Sequence, residues 1–342
     1  MNPNEAVSAR SDTLIRRVDL RNPFHVAELP LVGRLCRAAY TPRRRVAKRF
    51  VGKPAKVLFR LAHSSLGLGG RGTLVYDGPD GTRSLRFDAR NIQFRALYLP
   101  QYAAGYETET SALLDVIVSP KDVFFDVGAN WGYFALWVAG RPGFEGTVHA
   151  FEPLAASFAD LAGLVAQAGL ETRISCHHLA LSDQDGDGVL AVDAGGDSGT
   201  ARLGGGALGE RVTLAALDGL GLPPPAAMKI DVEGHEHLVL AGARRTLESA
   251  RPFVVFESWR EASAPKTTLA PFGVLAGLGY AFFAPTWWRT TPAGGYAVDG
   301  PTDTLALVPV TPEQRFLLGE QMNVLACPAE RLAKLRALFE GT

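Results

Sequence analysis

The stretch Val123-Phe124-Phe125-Asp126-Val127-Gly128-Ala129-Asn130-Trp131-Gly132-Tyr133-Phe134 constrains this chain more than any other. A short apolar run closed by an acid and followed by two glycines predicts a buried parallel strand, a tight turn and the start of a helix. Gly128 lets the backbone turn sharply, and Gly132 admits a group packed or bound close to it. The first N–H groups of a helix have no partner within it, so the turn and helix start form a polar cradle for a charged ligand. In open α/β sheets, ligands bind at such carboxyl ends of strands.

The turn itself argues about which ligand. Gly-Ala-Asn-Trp-Gly lacks the full G-x-G-x-x-G pattern that brings a pyrophosphate onto a helix. Asp126 precedes the turn directly, where negative charge repels phosphate but suits a ligand with a cationic centre and an ammonium group. S-adenosylmethionine has both. One strand later, Thr147-Val148-His149-Ala150-Phe151-Glu152-Pro153 ends on Glu152, where a carboxylate can accept hydrogen bonds from both ribose hydroxyls. Taken singly, each acid also fits an ordinary α/β turn.

Further segments repeat the pattern. Arg173 to His178 reads as a third strand, followed by Ala180-Leu181-Ser182-Asp183. Met228-Lys229-Ile230-Asp231-Val232-Glu233-Gly234-His235-Glu236 ends a fourth strand and opens a helix whose apolar face is Leu238 to Ala243. Arg251 to Glu257 supplies a fifth strand. With these pieces in order, the chain resembles the FkbM-type S-adenosylmethionine-dependent methyltransferases. The resemblance rests on Tyr106-Glu107, Asp126 to Tyr133, Phe151-Glu152-Pro153, Ala180 to Asp183, Lys229 to Glu236 with Gly242-Ala243, and Glu257, covering roughly residues 105 to 260. The Lys-Ile-Asp-Val-Glu-Gly-His-Glu block is its specific part. One departure is the helix after Glu152, where Ala159 to Ala168 holds no asparagine.

Composition agrees with a globular enzyme. The 342 residues include 47% hydrophobic and 20% charged side chains, ordinary values for a packed domain. Thirty-five Lys+Arg balance 35 Asp+Glu, so no global field draws the chain to nucleic acid. Cys36, Cys176 and Cys327 are widely separated and form neither a metal pattern nor a disulfide framework. The first thirty residues carry charges throughout and no stretch is long and apolar enough to span a bilayer. The expected setting is therefore cytoplasmic, peripheral to the inner membrane face if the basic segment binds there.

That segment is the odd feature of the N-terminal third. Leu29 to Tyr76 holds no acid, while ten basic residues fall between Arg34 and Arg60, interleaved with apolar ones. One or two basic amphipathic helices, broken near Pro42 and Pro54, are expected. They present either a solvated face or a surface for anionic lipid or lipid-linked glycan; sparse aromatics argue against nucleic acid. Gly72 to Tyr76 and Arg83 to Phe87, joined through Asp77 to Gly81, read as a hairpin.

Tyr98, Gln101, Tyr102 and Tyr106 precede the first core strand, and near Glu107 they can close a methionine-binding end. Tyr280 to Phe283 and Thr304 to Val308 read as the last two strands, with Trp287, Trp288 and Arg289 in a loop between them. That loop suits a sugar platform or a hydrophobic clasp. Glu313 to Leu318 and Ala329 to Phe339 read as helices; the tail is expected to dock on the basic segment or on a second subunit of a homodimer. His177 and His178 point to opposite strand faces. His235 and His237 do not share a helix face, so no histidine pair has metal-ligand spacing. Asp231 with Glu233 offers a hard cation two carboxylates, but no metal is assigned.

The fold expected is α/β: a class I methyltransferase-type Rossmann-like sheet, mostly parallel with an antiparallel last strand, plus a basic helical and hairpin extension. Residues 1–104 form the extension, 105–310 the methyltransferase domain and 311–342 a helical tail. The resemblance implies O-methyl transfer to a hydroxyl of a glycan, sugar or polyketide-like small molecule. Cofactor contacts are expected from Glu107, Asp126, Gly128, Ala129, Asn130, Gly132, Glu152 and Asp183. Asp231 is the first candidate to orient or deprotonate the acceptor, unless it holds the donor's ammonium or caps the following helix; His235 and Glu257 are next. A dinucleotide or nucleotide-sugar enzyme and a non-catalytic glycan- or lipid-binding module are the alternatives.

Overall fold

The computed structural model describes residues 12–41, 58, 70–191, 202–203, 209–292 and 294–340. Of the basic segment, only Arg34 and Arg37 fall among these, in the helix Leu31–Tyr40. That helix stops before Thr41, which is extended at ψ 129°, as the residue preceding a proline tends to be. Arg43, Arg44, Arg45, Lys48, Arg49, Lys53, Lys56 and Arg60 lie outside the described residues.

In the N-terminal part, β1 spans Leu14–Arg17, β2 Phe24–Glu28, β3 Arg71–Gly78 and β4 Gly81–Asp88. β3 and β4 form the expected hairpin, closing at the Gly78–Gly81 pair, and β2 adds a third strand. The hairpin packs against the core, with the Tyr76 hydroxyl donating to the Leu136 carbonyl at 2.7 Å. β1 leaves this unit and joins the main sheet beside β16 (Thr304–Val310).

The main sheet begins with β5 (Val123–Val127), β6 (Thr147–Phe151) and β7 (Ile174–His177). β8 (Ala180–Ser182), β9 (Gly186–Ala191), β10 (Arg202–Leu203) and β11 (Glu210–Ala216) form a separate four-stranded sheet. β12 (Ala227–Ile230) and β13 (Phe253–Trp259) return to the main sheet, followed by β14 (Tyr280–Thr291), β15 (Gly294–Val298), β16 and β17 (Gln321–Pro328). Its order is β7-β6-β5-β12-β13-β17-β14-β16-β1, with β15 paired to β14. β7 through β13 run parallel; β17, β14, β16 and β1 are each antiparallel to their neighbours.

The parallel half is as expected, but the antiparallel half is broader than one last strand. β17 lies between β13 and β14, inside a region read as a helical tail. Its residues Val324 to Cys327 are buried and carry no helical period, so the segment fills the gap beside β13. The final helix, Leu332–Glu340, packs on β1, β17 and the helix Thr108–Ile117. Trp287 and Trp288 are not in a loop. They sit on β14, each 2% exposed, and alternate between two hydrophobic clusters as strand neighbours must. Trp287 Nε1 donates to Thr108 Oγ1 at 2.8 Å, so these rings clasp the core rather than offer a sugar platform.

The same alternation builds the main core. Phe124, Phe253 and Val255 face the side covered by the helices Thr108–Ile117, Tyr133–Ala139 and Ala155–Ala168. Phe125, Val127, Val254 and Phe256 face the side covered by the helices Glu236–Gly242 and Pro265–Gly277. Burial on both faces explains why the parallel strands read as apolar runs. Among the described residues, no helix is long and apolar enough to cross a membrane.

Candidate active site

A cleft of about 640 Å³ opens at the carboxyl ends of β5, β6 and β12, with the β13 end and β17 on its far side. Its floor is the turn after β5. Gly128 has φ +80°, and a Cβ there would sit 1.8 Å from the Asp231 carbonyl oxygen. The turn therefore presses against the end of β12, and only glycine fits. Gly132, at φ +92°, accommodates the Leu161 side chain, which a Cβ would meet at 2.6 Å.

Two acids brace this floor. Asp126 is 1% exposed, and its Oδ2 accepts from the Ala135 amide at 2.9 Å, tying β5 to the following helix. Its Oδ1 has no hydrogen-bond partner among the described residues. Glu152 is 5% exposed. Its Oε2 accepts from the Asn130 amide at 2.8 Å and its Oε1 from the Leu154 amide at 2.9 Å. Burial pushes Asp126 up to about 6 and Glu152 up to about 7, the hydrogen bonds opposing that rise. Each oxygen of Glu152 keeps a second lone pair for a hydroxyl.

The opposite end gathers carboxylates from distant segments. Glu107, in the left-handed region at φ 41°, accepts from Asn323 Nδ2 at 2.8 Å. Burial pushes it up to about 7, with Lys229 opposing the rise. Tyr102, Tyr106 and Gln101 line the same wall, Tyr106 stacking edge-on with Tyr102 and Tyr133. Lys229, 1% exposed, donates to Asp231 Oδ2 at 2.8 Å. Glu257 accepts from Trp259 Nε1 at 2.8 Å and from Gln321 Nε2. Asp231, Glu233 and Glu257 bring one oxygen each within 4.8 Å of the others, a spacing compatible with a hard cation or an ammonium group. His235 also faces the cleft, its Nε2 3.0 Å from Ser182 Oγ; burial, then His237, lowers its pKa and favours neutral imidazole.

Residues 126–265 match the family model for the methyltransferase FkbM domain. Over that stretch the chain is similar to the FkbM methyltransferase domain. Among solved structures it is similar to the methyltransferase FkbM from Methylobacillus flagellatus KT, at 17% identity and a TM-score of 0.38, over 56% of this chain and 44% of that one. It is similar to the O-methyltransferase TomG from Streptomyces achromogenes, involved in tomaymycin synthesis and in complex with SAM, at 16% identity and 0.35, over 64% and 86% of the two chains. It is similar also to an O-methyltransferase from Bacillus cereus in complex with SAH, at 14% identity and 0.34, over 58% and 79%. The chain thus spans less than half of the Methylobacillus protein. No curated protein matches it.

Within residues 126–265 and the segment before them, the cleft brings together Glu107, Gly128, Ala129, Asn130, Glu152, Asp231, His235 and Glu257. Three expected contacts are not on its walls. Asp126 caps the helix behind the turn, Gly132 packs on Leu161, and Asp183 is exposed and bonded to Ser182 Oγ. Asp231 accepts from Lys229, while Glu236 Oε1 takes the Val232 and Gly234 amides of the turn that leads into the next helix. Burial, then Asp231 and Glu233, raises the pKa of Glu257 and favours its protonated form, which ranks it behind Asp231 and His235 as a candidate base. Sequence reading gave no role to Lys229, Asn323, Trp259 or Gln321. Asn323 and Gln321 were invisible because β17 was not recognised. Lys229 opens the Lys-Ile-Asp-Val-Glu-Gly-His-Glu block, but nothing in the sequence marks a lysine as buried.

Proposed function

We propose that this chain transfers the methyl group of S-adenosylmethionine to a hydroxyl of an uncharged sugar or polyketide-like metabolite. The observation that carries the reading is the pairing of the Gly128 turn, pressed against Asp231, with the buried carboxylate of Glu152 at the next strand end. Glu152 would hold the ribose hydroxyls, while Tyr102, Tyr106 and Glu107 would enclose the methionine end. Asp126 Oδ1, buried without a partner among the described residues, adds negative charge beneath the turn that suits a doubly cationic donor. A cleft of about 640 Å³ lies within the ordinary range for ligand sites of roughly 300–1,000 Å³.

When bound, the donor supplies a methyl carbon already activated by a positive sulfur. The protein's work is then to align the acceptor oxygen with the carbon–sulfur bond and to take its proton. Asp231, just past the end of β12, would accept a hydrogen bond from the acceptor hydroxyl. Neutral His235 can take the proton at neutral pH. Acids outnumber bases on the walls even with Glu257 left out: Glu107, Glu109, Glu152, Asp231 and Glu233 stand against Arg95 and Lys229, the latter paired with Asp231. An uncharged acceptor avoids the repulsion that a phosphorylated or carboxylated one would meet.

The test is calorimetry with S-adenosylhomocysteine followed by methyl transfer to matched neutral and anionic hydroxyl acceptors. Binding with transfer to neutral members is expected. Absence of binding removes the methyl-transfer reading; transfer chiefly to anionic members removes the acceptor class.

A further inference from the structure

Lys229 is buried in the cleft wall, yet neither donor binding nor proton removal, as described, uses it. It lies on β12 two residues before Asp231, so both side chains emerge on the same face of the strand. On β5, its register partner is Asp126, which places these two side chains side by side across the sheet. Its Nζ sits 2.8 Å from Asp231 Oδ2 and 4.4 Å from the centre of the Phe134 ring. Burial works against its charge, but Asp231, Glu107 and Asp126 outweigh burial and raise its pKa above the ordinary lysine value. The ammonium is thus bonded to Asp231, lies over one aromatic face, and is attracted by the charges of Glu107 and Asp126.

A long, flexible side chain is costly to order and to bury, and it is retained where its charge has a partner. Here the partner is the acid at the strand end that faces the acceptor. We infer that Lys229 is a positioning residue for Asp231, tethering one carboxylate oxygen so that the other is presented to the acceptor hydroxyl. The inference rests on the methyl-transfer reading for its catalytic consequence, but the tether itself can be observed without an acceptor. Around Asp231 stand Glu107, Asp126, Glu233, Glu236, Glu257, Tyr106 and Lys229. Without the ammonium, Asp231 would face acids with no cation to fix its rotamer.

The experiment compares wild type with Lys229→Met, Asp231→Asn and the double variant, each with bound S-adenosylhomocysteine. Lys229→Gln is carried alongside in case the methionine variant does not fold. Crystal structures should show the Asp231 carboxylate turned from its wild-type rotamer in Lys229→Met. Kinetics with the best acceptor should show kcat down at least about tenfold, while the donor dissociation constant and KM stay within about threefold. The double variant should be no more than about twofold slower than the slower single one, because a residue acting through Asp231 loses its effect once Asp231 is gone. An unmoved Asp231, a loss confined to donor affinity, or multiplicative kinetic losses would each overturn the inference. Failure of wild type to bind S-adenosylhomocysteine would instead overturn the methyl-transfer reading, leaving crystal structures of the ligand-free proteins to decide the tether.

Discussion

Replacing Glu152 by glutamine tests the donor site with little change in volume. The carboxylate holds two backbone amides, those of Asn130 at 2.8 Å and Leu154 at 2.9 Å. A glutamine offers one oxygen and one NH2, so one amide must lose its acceptor and face a donor. The ribose hydroxyls lose charge-assisted bonds as well, worth roughly 1.5–3 kcal/mol. At about 1.4 kcal/mol per factor of ten, affinity for S-adenosylhomocysteine should fall about 10- to 100-fold at pH 8. The pH dependence supplies a second signature. Burial raises Glu152 to about 7, so the carboxylate is mostly ionised at pH 8 and only about one-tenth ionised at pH 6. If the ionised form is the one that binds, wild type should lose about tenfold in affinity over that interval beyond whatever Glu152→Gln loses. The difference between the two proteins isolates this residue from Glu107, which titrates nearby. Calorimetry at pH 6, 7 and 8 provides the measurement. A folded Glu152→Gln protein that matches wild type within about threefold at pH 8 would refute the ribose assignment.

Two further outcomes follow from the burial of charge. Asp126 and Glu152 have folded-state pKa values raised to about 6 and about 7, from ordinary values of 3.8 and 4.5. At these two groups the folded protein holds more protons than the unfolded chain between those limits, so their contribution to stability without ligand should decline as pH rises from about 4 to about 7; a thermal-midpoint difference between wild type and Glu152→Gln that stays constant over that range would contradict the burial of Glu152. Arg315 is 1% exposed and donates to Ser258 Oγ and to the carbonyls of Ser258, Gly319 and Glu320. Arg315→Met should cost at least about 3 kcal/mol, because several buried carbonyls lose their donor at once; urea unfolding with a loss below about 1 kcal/mol would show that the β13–β17 connection does not depend on it.

The β5 turn, the acids at the ends of β5, β6 and β12, and the parallel half of the sheet were legible because each is a local pattern. A run of apolar residues ending in an acid and glycine needs no distant partner to be recognised. β17 was not legible. Its place in the sheet is set by pairing with β13 and β14, contacts that no period within the segment announces. The tryptophans of β14 were misplaced for a related reason. Pro285 suggested a loop, whereas its strand tolerates it opposite Leu307.

The sequence by itself determined the class of fold, the strand-end location of the site and most of its acids, because local spacing fixes which residues leave a strand together. Only the tertiary structure decided what those acids do. Asp126 became a helix cap, Glu257 a carboxyl whose protonated form is favoured, and Lys229 a buried tether. Those roles depend on burial and on charges converging from residues 107, 126, 231 and 257, separated in the chain and joined only when the sheet closes. Desolvation and Coulomb interactions act through space, so a one-dimensional pattern can name the groups but cannot assign their states.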